Sequence, residues 1–291
     1  MLQYVQGQAT SDHWGRRPAR FLLAAALTVL AVFAQPGVAH AATVLSDGQW
    51  VIPVGGDQPA STDFSVTTTG PYWSVVFLRN GYVDEWGDIA DPPRYSVQVL
   101  DSTGARLASS NGGIFPSFVA IDGNIRPAQT YTARVVENIP GLKNPVGEQY
   151  ALTFQDGKSI LPTGRSYITA PTGKPDNKVY VRDVFLNADT ISTINITGNN
   201  FCPHPSGTQK NVLVQAYLLA SDPAKPASAV SDGVSALDHS DYLIPGAAAA
   251  PTCDVQLAAT ITRSAWYGVV IFTPFQQMSV DVSSVPSNTI S

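Results

Sequence analysis

Runs in which apolar and polar residues alternate recur along the chain from Val75 onward. A period of two is typical of a strand with one buried face. Turn residues such as Asn80-Gly81 and Asp122-Gly123 separate the runs. No stretch after residue 41 has a helical period, so the pattern predicts an all-β protein. The predicted strands are Val75–Leu78, Tyr95–Val99, Tyr131–Val135, Tyr150–Phe154, Val179–Leu186, Ile191–Ile196, Val212–Leu218, Val255–Ile261, Trp266–Phe272 and Met278–Val282.

The strands fall into two groups around a segment rich in proline and glycine. Residues 159–178 hold three prolines and two glycines, which predicts a linker that passes into the first strand of a second domain. We therefore predict two tandem antiparallel β-sandwich domains of the jelly-roll kind, over residues 42–158 and 179–285, with a tail at 286–291. Each domain has an ordinary size.

The two groups also align as a distant internal repeat. Residues 95–112 match 214–233, and in both segments a strand is followed by a polar hairpin. Residues 129–136 match 264–271, where an aromatic residue begins the strand. The second half carries an insertion over about residues 234–254.

The N-terminal residues predict an export signal. Three arginines precede the uncharged apolar run Phe21–Ala34, which is shorter than the roughly 20 residues of a membrane span. Ala39-His40-Ala41 fits the small-x-small cleavage rule, so we predict a signal peptide over residues 1–41. The pair Arg16-Arg17 leaves the twin-arginine route open beside the general secretory route, which we favour. No later run is long and apolar enough to span a membrane.

Composition and charge exclude several classes of protein. Charged residues make up 13% of the chain, and the net charge is −5. Loss of the signal would remove three arginines and Asp12, leaving 14 basic and 21 acidic side chains and a net charge of −7. An acidic chain poor in charge is unlike nucleic-acid-binding proteins, coiled coils and disordered chains. Only three glutamates and two histidines would remain after residue 41, which favours binding over catalysis.

One acidic segment is a candidate calcium site. Asp84, Glu85, Asp88 and Asp91 place four carboxylates within eight residues of a predicted loop. Hard cations such as calcium take several oxygen ligands from flexible loops. A plain solvated acidic loop is the alternative interpretation.

Aromatic residues in the same segment are candidates for ligand binding. Trp86, with Tyr82 nearby, could stack on a sugar or contact a protein, whereas burial at the end of a sandwich is the alternative. Trp50, Trp73 and Trp266 lie in strand-like contexts, so we predict that they belong to the core.

Cys202 and Cys253 are the two cysteines of the chain. An even count in an exported protein predicts one disulfide, which would close a loop of about 50 residues. Two free thiols or a metal pair are the alternatives, although neither cysteine lies in a zinc-site pattern.

A second candidate site surrounds the two histidines beyond the signal. His239 stands beside Ser240 and Asp241, and these three residues could form a catalytic set with His239 as base. Asp238, His239, Asp241 and His204 could instead ligate a metal. No Gly-x-Ser-x-Gly elbow or His-Glu-x-x-His motif supports either role, so exposed loop residues are the simpler interpretation.

The order of motifs in the first half resembles bacterial pre-peptidase C-terminal domains. The match consists of Leu100–Ser110, then the Tyr-led strand Tyr131–Val135, then the closing strand Tyr150–Phe154. The resemblance covers residues 60–156 and, more faintly, 178–283. It implies secreted β-sandwich jelly rolls that usually accompany exported enzymes without being catalytic, and some relatives of which bind collagen, carbohydrate or calcium.

These observations together predict a secreted, bacterial, non-catalytic protein that recognises an extracellular polysaccharide or protein surface through loops at the ends of its sandwiches. A secreted hydrolase that uses the second-domain insertion is one alternative. A structural component of the cell envelope is another. Nucleic acid is not an expected partner, and no cofactor other than calcium is indicated.

Overall fold

Strands dominate the structure. The computed structural model describes residues 42–54, 59–80, 94–110, 117–124, 128–138, 149–169, 178–198, 214–220, 254–273 and 276–287. Within these ranges the chain forms sixteen β-strands and no α-helix. They are β1 (Thr43–Val44), β2 (Trp50–Val51), β3 (Ser61–Thr67), β4 (Trp73–Asn80), β5 (Tyr95–Leu100), β6 (Arg106–Ser109), β7 (Ser117–Asp122), β8 (Thr130–Glu137), β9 (Tyr150–Asp156), β10 (Gly164–Thr169), β11 (Lys178–Leu186), β12 (Thr190–Gly198), β13 (Gln215–Leu219), β14 (Asp254–Ile261), β15 (Ala265–Thr273) and β16 (Gln277–Pro286).

The all-β prediction is confirmed, since each predicted strand coincides with a strand wherever the structure describes it. The sequence pattern missed β1, β2, β3, β6 and β7, and β10 lies in the segment that was predicted to pass from a linker into a first strand. Every residue of β7 is buried, so this strand has no polar face and no alternation to reveal it. The predicted signal peptide at residues 1–41 lies outside the described residues.

The strands form four sheets. Sheet 1 has the order β1-β3-β8-β5-β6 and sheet 2 the order β2-β9-β4-β7. Sheet 3 has the order β11-β15-β13 and sheet 4 the order β10-β16-β12-β14. β1 runs parallel to β3, and the other named strand pairs are antiparallel.

Both halves of the molecule have jelly-roll topology. An eight-stranded jelly roll places strands 1, 8, 3 and 6 in one sheet and strands 2, 7, 4 and 5 in the other. Strands β2 to β9 follow this order in sheets 2 and 1, and we call them jelly roll 1. Strands β10 to β16 occupy positions 1 to 4 and 6 to 8 of the same order in sheets 4 and 3. These strands are jelly roll 2.

The shared topology agrees with the predicted internal repeat. The repeat aligned β5 with β13, and both are the fourth strand of their jelly roll. It also aligned β8 with β15, and both are the seventh. The sequence match therefore paired strands that occupy the same place in the fold.

Three apolar layers hold the four sheets together. One lies between sheets 1 and 2 and another between sheets 3 and 4, and these are the interiors of the two jelly rolls. The third layer, which we call the seam, joins sheet 2 to sheet 3. The seam consists of Trp73, Val75, Phe77, Phe118, Ala120, Val179, Val181, Tyr217, Leu219, Val270 and Phe272.

The segment between the jelly rolls is attached to the edge of sheet 3. The backbone N–H of Asp183 donates to the carbonyl of Ser159 over 3.0 Å, and the N–H of Leu161 donates to the carbonyl of Asp183 over 2.7 Å. Leu161 is only 2% exposed and belongs to the interior of jelly roll 2. These contacts cover the edge of β11, which satisfies backbone groups that an open edge would leave unpaired.

Candidate ligand-binding end of the jelly rolls

Four strand ends meet at one end of jelly roll 1. The register pairs Asn80 with Tyr150 and Tyr95 with Glu137, so the ends of β4, β5, β8 and β9 lie side by side. The connections that leave this end include residues 55–58, 81–93, 111–116 and 139–148, which lie outside the described residues.

Jelly roll 2 has a corresponding end. Its register pairs Thr169 with Gln277, Lys178 with Thr273, and Thr197 with Asp254. The connections that leave or reach this end include 170–177, 199–213, 274–275 and the last residues of 221–253, also outside the described residues.

These two ends lie on the same side of the molecule. Trp73, at the start of β4, packs on Gly268 across the seam. Four residues further along both strands, Phe77 stacks on Phe272 with ring centroids 4.9 Å apart. Strands β4 and β15 therefore run in the same direction, and the ends of the two jelly rolls that they reach lie on the same side. We call this side the loop-bearing end, and the opposite side, where turns such as 101–105 and 187–189 are found, the short end.

A buried ion pair supports the loop-bearing end of jelly roll 1. Nη2 of Arg94 lies 2.8 Å from Oε1 of Glu137, and the two side chains are 5% and 9% exposed. Nε of Arg94 donates to the same oxygen over 2.9 Å, and Nη1 donates to Oε1 of Gln149 over 2.9 Å. A buried charge is costly unless it is paired and hydrogen-bonded. The chain therefore holds the start of β5, the end of β8 and the residue before β9 in one arrangement.

Asn80 ties together the two ends of the connection between β4 and β5. Its side-chain amide donates to the carbonyl of Tyr95 over 3.1 Å, and the N–H of Tyr95 donates to its Oδ1 over 2.7 Å. The residues that flank 81–93 are thereby fixed beside each other. Such an anchored loop base lowers the entropy lost when a loop binds a ligand.

Two tyrosines lie beneath this base. Tyr95 and Tyr150 pack edge to face, with ring centroids 5.1 Å apart. Burial is the main cause that raises the pKa of both hydroxyl groups. Both therefore stay neutral at physiological pH, and we assign them a packing role.

The residues that the sequence singled out for chemistry lie outside the described residues. They are Asp84, Glu85, Asp88 and Asp91 for calcium, Trp86 and Tyr82 for ligand, His204, Asp238, His239, Ser240 and Asp241 for catalysis or metal, and Cys202 and Cys253 for a disulfide. The ends of β4 and β12 and the starts of β5 and β14, which flank most of these residues, lie at the loop-bearing end. β13, which precedes residues 238–241, ends at the short end. Within the described ranges, no group of three or more His, Cys, Asp or Glu residues is placed to hold a metal ion.

Sequence reasoning did not predict the Arg94 cluster. Glu137 is one of three glutamates beyond residue 41, and Arg94 directly precedes a strongly alternating strand. Those two isolated charges were a usable signal. Their pairing depends on the register of β5 against β8, which brings residues 43 positions apart into contact.

Among the residues that the structure describes, no helix is long and apolar enough to cross a membrane.

Comparison with known proteins does not identify a family. No family model matches the chain, and a search of curated proteins found no match. Among solved structures, the CUB1-EGF-CUB2 domains of rat MASP-1 cover 82% of this chain and 99% of their own at 7% identity and a TM-score of 0.25. An uncharacterised protein from Burkholderia cenocepacia covers 84% of both chains at 11% identity and a TM-score of 0.26. A triple jelly-roll protein of an archaeal virus covers 82% of this chain and 61% of its own at 11% identity and a TM-score of 0.22. Similarity at this level carries no functional assignment.

Proposed function

We propose that the protein is exported, loses residues 1–41, and acts outside the cytoplasm as a non-catalytic binding protein. Its ligand is an extracellular polysaccharide or protein surface, and it is recognised at the loop-bearing end. One observation carries the proposal: two jelly rolls of the same topology turn their long connections to the same side. Binding residues are found disproportionately on loops that a rigid scaffold positions.

The scaffold beneath the loops is rigid for reasons the structure shows. Arg94, Glu137 and Gln149 form a buried hydrogen-bonded set, and Asn80 clamps Tyr95. The seam fixes one jelly roll on the other through stacked aromatic rings. A preorganised base of this kind supports affinity, because less motion is lost on binding.

Calcium at Asp84, Glu85, Asp88 and Asp91 is part of the proposal. The support is the anchoring of the flanking residues, since Asn80 holds both ends of this connection together. A closed loop rich in carboxylates suits an ion that needs several oxygen ligands. The resemblance to pre-peptidase C-terminal domains points the same way, because some of their relatives bind calcium.

The proposed disulfide would link the connection between β12 and β13 to the residue that directly precedes β14. Thr197 and Asp254 are register partners, Cys253 directly precedes Asp254, and Cys202 follows Thr197 by five residues. Because Thr197 and Asp254 are paired, the strand that leads towards Cys202 and the strand that follows Cys253 lie side by side. Mass spectrometry of the exported protein, alkylated without reduction, should show no free thiol.

Binding is tested with the full exported chain on an array of extracellular glycans and matrix proteins. We expect reproducible binding by the wild type and a loss of at least tenfold in Trp86→Ala. Tyr167→Ala, which removes a 69% exposed ring from the outer face of sheet 4, is the matched control and should bind normally. Absence of every array signal would contradict the proposal.

Calcium is tested separately by thermal unfolding. Added calcium should raise the melting temperature, and EDTA should lower it, in the wild type but not in Asp84→Asn/Asp88→Asn. Asp281→Asn, a change on the outer face of sheet 4, should keep the wild-type response. Equal melting temperatures with calcium and with EDTA would overturn the calcium assignment alone.

A further inference from the structure

Sheet 3 extends one row of residues beyond sheet 2 at the short end. On the face of sheet 3 that lines the seam, Trp73 covers the row formed by Asp183 and Gly268. The next row consists of the register partners Phe185 and Trp266. These two side chains are 46% and 36% exposed, so the prediction that Trp266 is a core residue was wrong. The facing strand β4 begins at Trp73, so the seam ends before the row of Phe185 and Trp266.

The two exposed rings form a small aromatic floor. Phe185 and Trp266 pack edge to face, with ring centroids 5.3 Å apart and planes at 69°. Each ring restricts the orientation of the other, although part of both rings faces solvent. Exposure of aromatic rings to water is unfavourable. Adjacent exposed rings at a position where the core could continue are therefore candidates for ligand binding.

Turns of jelly roll 1 form a wall beside this floor. The N–H of Gly123 donates to the carbonyl of Tyr72 over 3.1 Å, which joins the two turns that end sheet 2. The exposed residue Asn124 follows, and its Nδ2 lies 3.4 Å from Oδ2 of Asp183, two positions before Phe185 on the same face. Nδ2 of Asn124 also donates to Oδ1 of Asp122 over 3.0 Å, so this side chain is held one row of residues from Phe185. We call the floor and this wall the aromatic step.

We propose that the aromatic step binds one pyranose unit of an extracellular polysaccharide. A pyranose ring offers a face of C–H groups that matches one or two aromatic rings, and its hydroxyl groups can donate to the side-chain oxygen of Asn124, whose Nδ2 is held by Asp122 and Asp183. This site goes beyond the proposed function, because it is formed by described residues at the short end rather than at the loop-bearing end.

The size of the step argues against a protein partner. Fully exposed Phe and Trp side chains present roughly 150–250 Å² each, so two rings less than half exposed offer on the order of 200 Å². One side of a specific protein–protein interface covers about 800 Å². A single sugar ring is small enough for such a patch.

The test is calorimetric titration of the full exported chain with three linear probes, cellohexaose, xylohexaose and chitohexaose. We expect at least one probe to bind and its affinity to fall at least tenfold in Phe185→Ala/Trp266→Ala. Asn124→Ala keeps both rings and should lower the affinity at least threefold. Because Asn124 also donates to the buried Asp122 and Asp183, the melting temperatures of this variant and of the double variant are measured alongside, to show that each is folded. Tyr167→Ala is the control for an exposed ring elsewhere on jelly roll 2 and should stay within twofold of wild type.

The outcomes separate this site from the loop-bearing end. Loss of probe binding in Trp86→Ala but not in the double variant would overturn the aromatic step and leave the proposed function standing. Binding by none of the three probes would overturn the aromatic step, whatever the array shows for the loops. A wild type that sediments as a dimer, with a monomeric double variant, would show a protein contact instead and also overturn it.

Discussion

The seam and the outer face of sheet 4 are built on strands of similar length in the same protein, but their chemistry is opposite. In β4 the first six residues, Trp73 to Leu78, are all buried, because one face fills jelly roll 1 and the other fills the seam. In β12 only every second residue is buried, and the outward residues include Thr193 and Asn195. Burial on both faces removes the alternation that burial on one face creates. A continuous apolar run therefore marks a strand at the centre of a stack.

The contrast also explains why the stack ends after four sheets. Both faces of the seam are aromatic and aliphatic, whereas the outer face of sheet 1 carries Asp63 and Arg134 and that of sheet 4 carries Asn195 hydrogen-bonded to Gln256. Polar outer faces remain hydrated, and covering them with a further sheet would bury little apolar surface.

The largest effect is expected for Trp73→Ala. Trp73 is fully buried in the seam, and large-to-small changes of buried tryptophan cost about 3–5 kcal/mol of unfolding free energy. Urea unfolding measures the loss. Thr193→Ala on the outer face of sheet 4 is the matched change and should stay within about 0.5 kcal/mol of wild type. Equal losses in both variants would remove the distinction between the two faces.

A smaller loss is expected for Gly268→Ala, which tests how closely the sheets approach. A Cβ atom at this position would lie 2.7 Å from Cγ of Trp73, and overpacking of this kind costs about 1–3 kcal/mol. The loss should disappear when the change is made in a Trp73→Ala background, because the clashing ring is gone. Additive losses in the double variant would mean that Gly268 acts through something other than Trp73.

Asp183→Asn tests a carboxyl group that is buried between the two sheets of the seam. Asp183 is 1% exposed, and its Oδ1 accepts the N–H of Trp73 over 3.0 Å. Burial raises the pKa of this carboxyl to about 7 from its ordinary 3.8, and Asp122 adds to the rise. The folded state therefore holds a proton that the unfolded state has lost between about pH 4 and 7, so this group makes the protein less stable as the pH rises through that range.

In Asp183→Asn that pH dependence should vanish, since the amide keeps the acceptor for Trp73 and has no charge to bury. We expect the unfolding free energy of the variant, minus that of wild type, to rise from pH 4 to pH 7 and to level off above pH 8. Asp281→Asn on the outer face, whose side chain is 40% exposed, is the control and should give no such rise. Parallel curves for wild type and Asp183→Asn would contradict the assignment.

The smallest effect is expected for Arg134→Gln on the outer face of sheet 1. Arg134 makes two hydrogen bonds to Asp63, of 2.6 and 2.8 Å, with side chains 38% and 35% exposed. Exposed pairs contribute about 0–1 kcal/mol, and salt screens them. The loss should stay below about 1 kcal/mol and shrink further in 0.5 M salt, as urea unfolding at two salt concentrations would show. A loss above about 2 kcal/mol would mean that this face is held together as tightly as the seam.

Sequence reasoning was most successful for strands in which burial of one face leaves a local pattern of apolar and polar residues. Alternation located β8 and β12, because a strand with one face exposed to water alternates. β5 and β9 also alternate in sequence, but polar residues of their second faces, such as Ser96 and Thr153, are buried. Sequence reasoning missed β7, which is buried throughout, and it placed Trp266 in the core because nothing local shows where a facing sheet ends. The candidate site could be predicted only in part. The loops were identified as loops, but the buried contact of Arg94 with Glu137 depends on the register of β5 against β8.

The amino-acid sequence by itself determined that this chain is all-β, and it indicated that its two halves share one order of strands. These properties follow from local periodicity and composition. Only the tertiary structure decided that the long connections of both jelly rolls reach one side, that Asp183 is buried between sheets, and that Phe185 and Trp266 are left uncovered. The physical reason is that stacking direction and sheet overlap depend on contacts between strands far apart in the chain, such as Phe77 with Phe272. No local pattern records which face meets which.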